Sequence, residues 1–154
     1  MDSLYQEIIL DHYRNPVGRG LREPFESEVH HVNPTCGDEI TLRVHLEGRG
    51  EAATVADISY DNQGCSISQA SASVMYELLL GHTVGEAMAT QEAFLDLMQS
   101  ATDHAGHEPD EDVLGDGIAF SGVAKYPARI KCALLSWMAW KDAVTQALTT
   151  GGTR

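Results

Sequence analysis

Asn33-Pro34-Thr35-Cys36-Gly37-Asp38 runs directly into Glu39-Ile40-Thr41-Leu42-Arg43-Val44-His45-Leu46-Glu47. The second half decides the local structure. Ile40, Leu42, Val44 and Leu46 alternate with Thr41, Arg43, His45 and Glu47, and a period of two marks a half-buried strand. Gly48 to Gly50 make a turn, and Thr54 to Tyr60 give another strand with Ala56, Ile58 and Tyr60 on one face. Two alternating runs joined by a short Gly-containing turn predict an antiparallel hairpin. Upstream, residues 27 to 33 predict a short strand, with Val29 and His31 on one face and His30 and Val32 on the other. Neighbouring strand residues point to opposite faces, so His30 and His31 are read as a solvated pair and not as ligands of one metal.

The flanks carry helical spacing. Residues 3 to 14 place Leu4, Ile8, Ile9, His12 and Tyr13 on one face, with Ser3 and Gln6 as a capping box and Asn15-Pro16-Val17-Gly18 as the stop. His12 is expected to be a packed histidine. Asp61-Asn62-Gln63-Gly64 is a turn-forming run before Cys65. Ile67, Ala70, Val74 and Leu78 then repeat at helical spacing up to Gly81. Thr83 and Glu86 match a second capping box, followed by Val84, Ala87, Met88, Leu95 and Met98. Residues 100 to 117 read as an acidic loop, in which His104 and His107 are solvated side chains. Pro127 opens the last helix, where its missing N–H costs little. Ile130, Ala133, Leu134, Trp137, Trp140, Val144 and Leu148 form its apolar stripe, and Thr149 to Arg154 are expected to fray.

The order is therefore a helix, a small sheet of about three strands, then several helices. Segregation of strands from helices predicts an α+β class. The chain of 154 residues fits a single domain, residues 1–154, with an acidic insert around 100–122. A formal charge of −13 argues against nucleic acid and against an anionic membrane surface, since both need a basic face. A partner with a basic docking face suits it better. No apolar run is long enough to span a bilayer, and Met1-Asp2-Ser3-Leu4 lacks the start of a signal peptide. Three widely spaced cysteines favour free thiols or metal ligands in a reducing cytoplasm over a disulfide framework.

Those cysteines are Cys36, Cys65 and Cys132. Zinc takes four ligands in a tetrahedron from thiolate, imidazole or carboxylate. Gly37 lets the chain turn so that Cys36 and Asp38 reach one ion. Cys65 stands at a helix start, where the dipole favours a thiolate, and Cys132 lies in the first turns of the last helix. The same residues fit two other readings. One or two cysteines can be small buried hydrophobes, or Cys36 can be a nucleophile with a histidine base. No Cys-x-x-Cys pair decides among them.

At these residues the sequence resembles the IscU/NifU-like iron–sulfur assembly family. The shared pieces are Tyr5 to Gly18, Asn33-Pro34-x-Cys36-Gly37-Asp38, Gly64-Cys65-x-Ile67-Ser68, and a third cysteine in a late helix. They occur in the family's order and cover nearly the whole chain. Within the family it is most similar to the SufU branch. Scaffold members carry a histidine directly before the third cysteine, where this chain has Lys131. They also carry a Leu-Pro-Pro-Val-Lys segment for a chaperone, where this chain has Tyr126-Pro127-Ala128-Arg129-Ile130-Lys131. The stretch Gly117 to Val123 resembles the extra segment of SufU proteins.

The resemblance implies zinc held by Cys36, Asp38, Cys65 and Cys132. It implies that Cys36 accepts persulfide sulfur from a SufS-type cysteine desulfurase, which the chain activates, with downstream cluster-assembly scaffold proteins as further partners. The activity would be that of a sulfurtransferase-like acceptor. A histidine of the desulfurase would take a place on zinc and free Cys36. Zinc bound by four anions makes a doubly negative centre, and Arg129, three residues before Cys132 on a helix, is expected to support it. The alternative is a scaffold that assembles an iron–sulfur cluster on Cys36, Cys65 and Cys132. A stand-alone thiol hydrolase ranks below both.

Overall fold

A computed structural model describes residues 3–99 and 111–151. The chain begins with α1 (Ser3–Arg14), followed by β1 (Ser27–Asn33), β2 (Asp38–Glu47) and β3 (Thr54–Gln63). Helices α2 (Ser66–Leu79) and α3 (Val84–Gln99) come next. Then come the short α4 (Glu111–Leu114), a run of 3-10 turns (Gly115–Lys125) and α5 (Pro127–Gly151). The strands form one antiparallel sheet in the order β1-β2-β3. This is the expected α+β class.

The alternation in β2 gives the sheet two unlike faces. Ile40, Leu42 and Val44 are buried, and α5 lies against β1 and β2 on that side. Trp137 and Trp140 of α5 fill the space beneath, both fully buried. Phe94 of α3 stacks on Trp137 with ring centroids 4.3 Å apart, and Phe120 meets Phe94 edge-on at 5.7 Å. Aromatic pairs of this kind add to what their burial alone supplies.

A polar tie holds α5 to α2. Ser71 Oγ donates to the Ala133 carbonyl at 2.6 Å and accepts from Trp137 Nε1–H at 3.0 Å. One buried hydroxyl thus satisfies a donor and an acceptor inside the apolar layer. It also sets the beginning of α5, where Cys132 lies, against the first half of α2, which Cys65 caps.

Several expectations need correction. Ala56 is not the inward residue of β3. The pairing skips it, His45 facing Asp57 and Leu46 facing Val55, and this bulge reverses the alternation. Val55 is therefore fully buried and Ala56 only half so. Asp61-Asn62-Gln63 is not a turn but the end of β3, because pairing with Glu39, Ile40 and Thr41 overrides the turn-like composition. The pair His30 and His31 is not simply solvated. His30 bonds Thr41, while His31 is half-buried and reaches Asp142 of α5 at 2.8 Å. Of the expected acidic loop, residues 100–110, with His104 and His107, lie outside the described residues. Residues 111–117 are helical: α4 and the 3-10 turns, whose Leu114 and Phe120 are drawn into the core. The last helix runs to Gly151, and residues 152–154 of the tail expected to fray lie outside the described residues.

Other expectations match. Thr83 and Glu86 form the reciprocal capping box, Glu86 N donating to Thr83 Oγ1 and Thr83 N to Glu86 Oε1. Gly81, with φ of 83°, stands just past the end of α2. His12 is a packed histidine, its ring bonded to Ser73 of α2 and to Asp116 of the 3-10 turns, each at 2.8 Å. Asp116 and Glu77 also bring carboxylate oxygens within 4.8 Å of that ring.

Candidate metal and thiol centre

Asn33 organises the first part of the centre. It ends β1 opposite Asp38, the first residue of β2. Its carbonyl accepts from Cys36 N at 3.3 Å and Gly37 N at 2.9 Å, and its side-chain oxygen accepts from Thr35 N at 3.3 Å. Its amide Nδ2 donates to Cys36 Sγ at 3.2 Å. Asparagine is suited to this because its side chain mimics a turn of backbone. Gly37 completes the turn at φ of 72°, the left-handed region open to glycine. The Cys36 thiol is thereby held on an exposed loop.

Asp38 lies on the inward face of β2 and is fully buried. Its Oδ1 accepts from the backbone N–H of Cys65 at 2.9 Å, and Cys65 is the N-cap residue of α2. The helix N-terminus thus faces the carboxylate, the favourable polarity. Oδ2 lies 3.9 Å from Cys65 Sγ. The approach needs Gly64, because a Cβ there would strike the Asp38 carboxylate. Cys132, in the second turn of α5, is buried with its Sγ 3.1 Å from Cys36 Sγ.

The donor atoms of Cys36, Asp38 and Cys132 all lie within 4.8 Å of one another, and Cys65 joins at Asp38. Burial, together with the neighbouring Cys36 and Asp38, pushes the Cys132 thiol well above the ordinary cysteine range. Among the described residues Asp38 makes no ion pair. A fully buried carboxylate needs a counter-charge, and the groups beside it are thiols. Three sulfurs and one oxygen are the donor set of a closed zinc site, with bonds of about 2.0–2.3 Å; here two sulfurs and the oxygen are mutually close and the Cys65 sulfur lies beside the oxygen. The residues present fit that metal.

Arg129 is exposed in the first turn of α5, its backbone N–H bonded to the Tyr126 carbonyl. The roles of Asn33 and Gly64 were missed from sequence. Asparagine before Pro-x-Cys-Gly is the signal for the first. A glycine beside a cysteine is too common to have marked the second.

A small sheet covered on one face by helices thus carries, at its edge, a buried carboxylate beside three thiols. The chain belongs to the NifU-like N-terminal domain family, whose model matches residues 4–133. It is 41% identical over 148 residues to the zinc-dependent sulfurtransferase SufU of Bacillus subtilis (strain 168), covering 95% of this chain and 92% of that one. It is 35% identical over 147 residues to the iron–sulfur cluster assembly scaffold protein IscU of Streptococcus pyogenes serotype M1, covering 96% and 86%. Its fold is similar to the crystal structure of a nitrogen-fixing NifU-like protein (N-terminal) from Brucella abortus. The TM-score is 0.78 at 25% identity, covering 95% of each chain. No helix among the described residues is long and apolar enough to cross a membrane.

Proposed function

We propose that this protein is a zinc-dependent sulfur-transfer protein of iron–sulfur cluster assembly, working in the cytoplasm. In this reading it accepts persulfide sulfur on Cys36 from a SufS-type cysteine desulfurase and activates that enzyme. The observation that carries the reading is the contrast among the thiols. Cys36 is exposed on a loop, whereas Cys132 is buried in a helix and Cys65 caps one. Cys36 alone can turn toward a partner without moving regular backbone. The 41% identical SufU supports it.

Zinc held by Cys36, Asp38, Cys65 and Cys132 would keep the thiols deprotonated, which is the form that attacks sulfur. The rest follows from the chain itself. Asn33 Nδ2 stabilises charge on Cys36 Sγ and restrains it near the centre. Asp38, a harder and more labile ligand than a thiolate, is suited to exchange. Cys65 and Cys132 anchor the site on two helices while Cys36 swings out. A downstream scaffold protein would then take the sulfur. Arg129, exposed in the first turn of α5 and three residues before Cys132, would support the negative charge of the centre.

The test is brief exposure to desulfurase and cysteine, then peptide mapping of the added sulfur. Sulfur on Cys36, with about one zinc per chain and faster alanine release, is the expected result. An anaerobically purified brown protein, with a cluster on all three cysteines and no persulfide, would establish the scaffold reading instead.

A further inference from the structure

Cys132 serves no purpose as a sulfur acceptor, yet it touches the acceptor. Its Sγ lies 3.1 Å from Cys36 Sγ, about 1 Å beyond the ~2.05 Å of a disulfide bond. Cys132 is 1% exposed, while Cys36 opens to solvent. The exposed Cys36 leaves solvent room for a second sulfur, and the buried Cys132 stands in contact with the inner one. Displacement at sulfur needs the attacking sulfur beside the one attacked, and holding the two in contact replaces a bimolecular encounter. The Cys65 Sγ lies instead beside Asp38 and near Cys132.

We propose that Cys132 is a resolving thiol, which discharges a persulfide on Cys36 as hydrogen sulfide whenever the metal no longer holds it. The inference rests on Cys36 being the sulfur acceptor. The Cys132 sulfur attacks Cys36 Sγ, a Cys36–Cys132 bond forms, and the bond between Cys36 Sγ and the outer sulfur breaks. The two cysteine sulfurs together lose two electrons, and the outer sulfur takes them. The Cys132 thiol proton leaves with it, so the product is hydrogen sulfide and no outside oxidant takes part. The Asp38 carboxylate, within 4.8 Å of both sulfurs, is placed to carry that proton. A metal on Cys132 then does more than keep a thiol ready. It prevents the protein's own thiol from wasting the cargo.

The experiment uses the full chain stripped of metal by chelation. It is loaded anaerobically with inorganic polysulfide, desalted, and followed by intact mass, non-reducing peptide mapping and trapping of released sulfide. Sulfur on Cys36 is expected to give way to a Cys36–Cys132 cross-link, with sulfide released in equal amount. Cys65→Ser should still cross-link. Cys132→Ser should hold the persulfide about tenfold longer or more, and zinc restored after loading should slow its loss similarly. The wild-type cross-link decides the matter even where Cys132→Ser folds poorly. A Cys36 persulfide that lasts as long in the wild type as in Cys132→Ser overturns the inference, as does a Cys36–Cys65 cross-link. Equal loss with and without zinc overturns the protective role. Sulfur found on Cys65 or Cys132 but never on Cys36 has a different signature, and overturns the acceptor reading itself.

Discussion

Asn33 donates from its amide to the sulfur of Cys36 while its carbonyl and side-chain oxygen bind the three N–H groups that shape the Cys36 loop. One residue, through its backbone carbonyl and its side chain, therefore sets both the position and the charge environment of the exposed thiol. Asn33→Ala is expected to cost about 1–2 kcal/mol of stability, as for lost hydrogen bonds at a buried residue. It should also speed chelator extraction of zinc several-fold. Urea unfolding and a chelator-competition time course measure the two effects. Unchanged extraction kinetics would remove Asn33 from the site.

Asp38→Ala tests the carboxylate. Removing it leaves a gap beside Cys65 N–H and takes away one of four donors. The fold should survive, with zinc bound more weakly and stimulation of the desulfurase reduced. Metal analysis after dialysis, with alanine release as the second reading, checks this. Wild-type zinc retention and stimulation together would exclude a ligand role.

Gly64→Ala places a methyl group against that carboxylate at a residue whose φ is 143°. Strain and steric clash act in the same direction, so a loss of more than about 1 kcal/mol is expected. Zinc content should fall with it, because Asp38 is the atom group displaced. Circular dichroism melts and metal-to-protein ratios report the two parts.

Ser71→Ala probes the tie between α2 and α5. It orphans the Trp137 N–H and removes a bond to the Ala133 carbonyl, both buried. Leaving a buried donor unpaired costs about 1–3 kcal/mol. The midpoint of urea unfolding should fall accordingly without change in its slope.

Tyr60 gives a pH dependence. Burial pushes its phenol from 10 up to about 12, partly offset by the charge of Arg19. Its hydroxyl donates to the Val17 carbonyl at 2.7 Å. The folded state thus favours the neutral phenol, and the unfolded chain ionises first. The contribution is fully present below pH 10 and is lost as pH rises through about 12. The total loss is about 2–3 kcal/mol. Unfolding midpoints in urea, compared with Tyr60→Phe across this range, should show the wild type losing stability more steeply.

Much of this was legible in the sequence, and the rest failed for physical reasons. Ile40 to Leu46 announced a half-buried strand because its alternation depends only on the pleat. Ala56 misled because a bulge is a property of pairing, and one strand alone does not reveal it. Asp61 to Gln63 looked like a turn because composition records local preference, while the partner strand Glu39 to Thr41 decided the outcome. Cys36 and Asp38 were readable as a pair, being neighbours across Gly37. Their joining to Cys65 and Cys132 depends on how helices pack, so the residues offered it only as one of several readings, and the resemblance to a known family favoured it. The bond between His12 and Asp116 was invisible for the same reason.

The contact between Cys36 and Cys132 spans 96 positions of sequence. Closing so large a loop is entropically costly and comes late in folding. A zinc finger is different, since its ligands lie close along the chain and the ion can gather them from an unfolded peptide. Here an ion would meet its donors only after the sheet, α2 and the start of α5 are in place. Zinc would therefore enter as a final step of maturation. A chain that has lost it should remain folded enough to be reloaded.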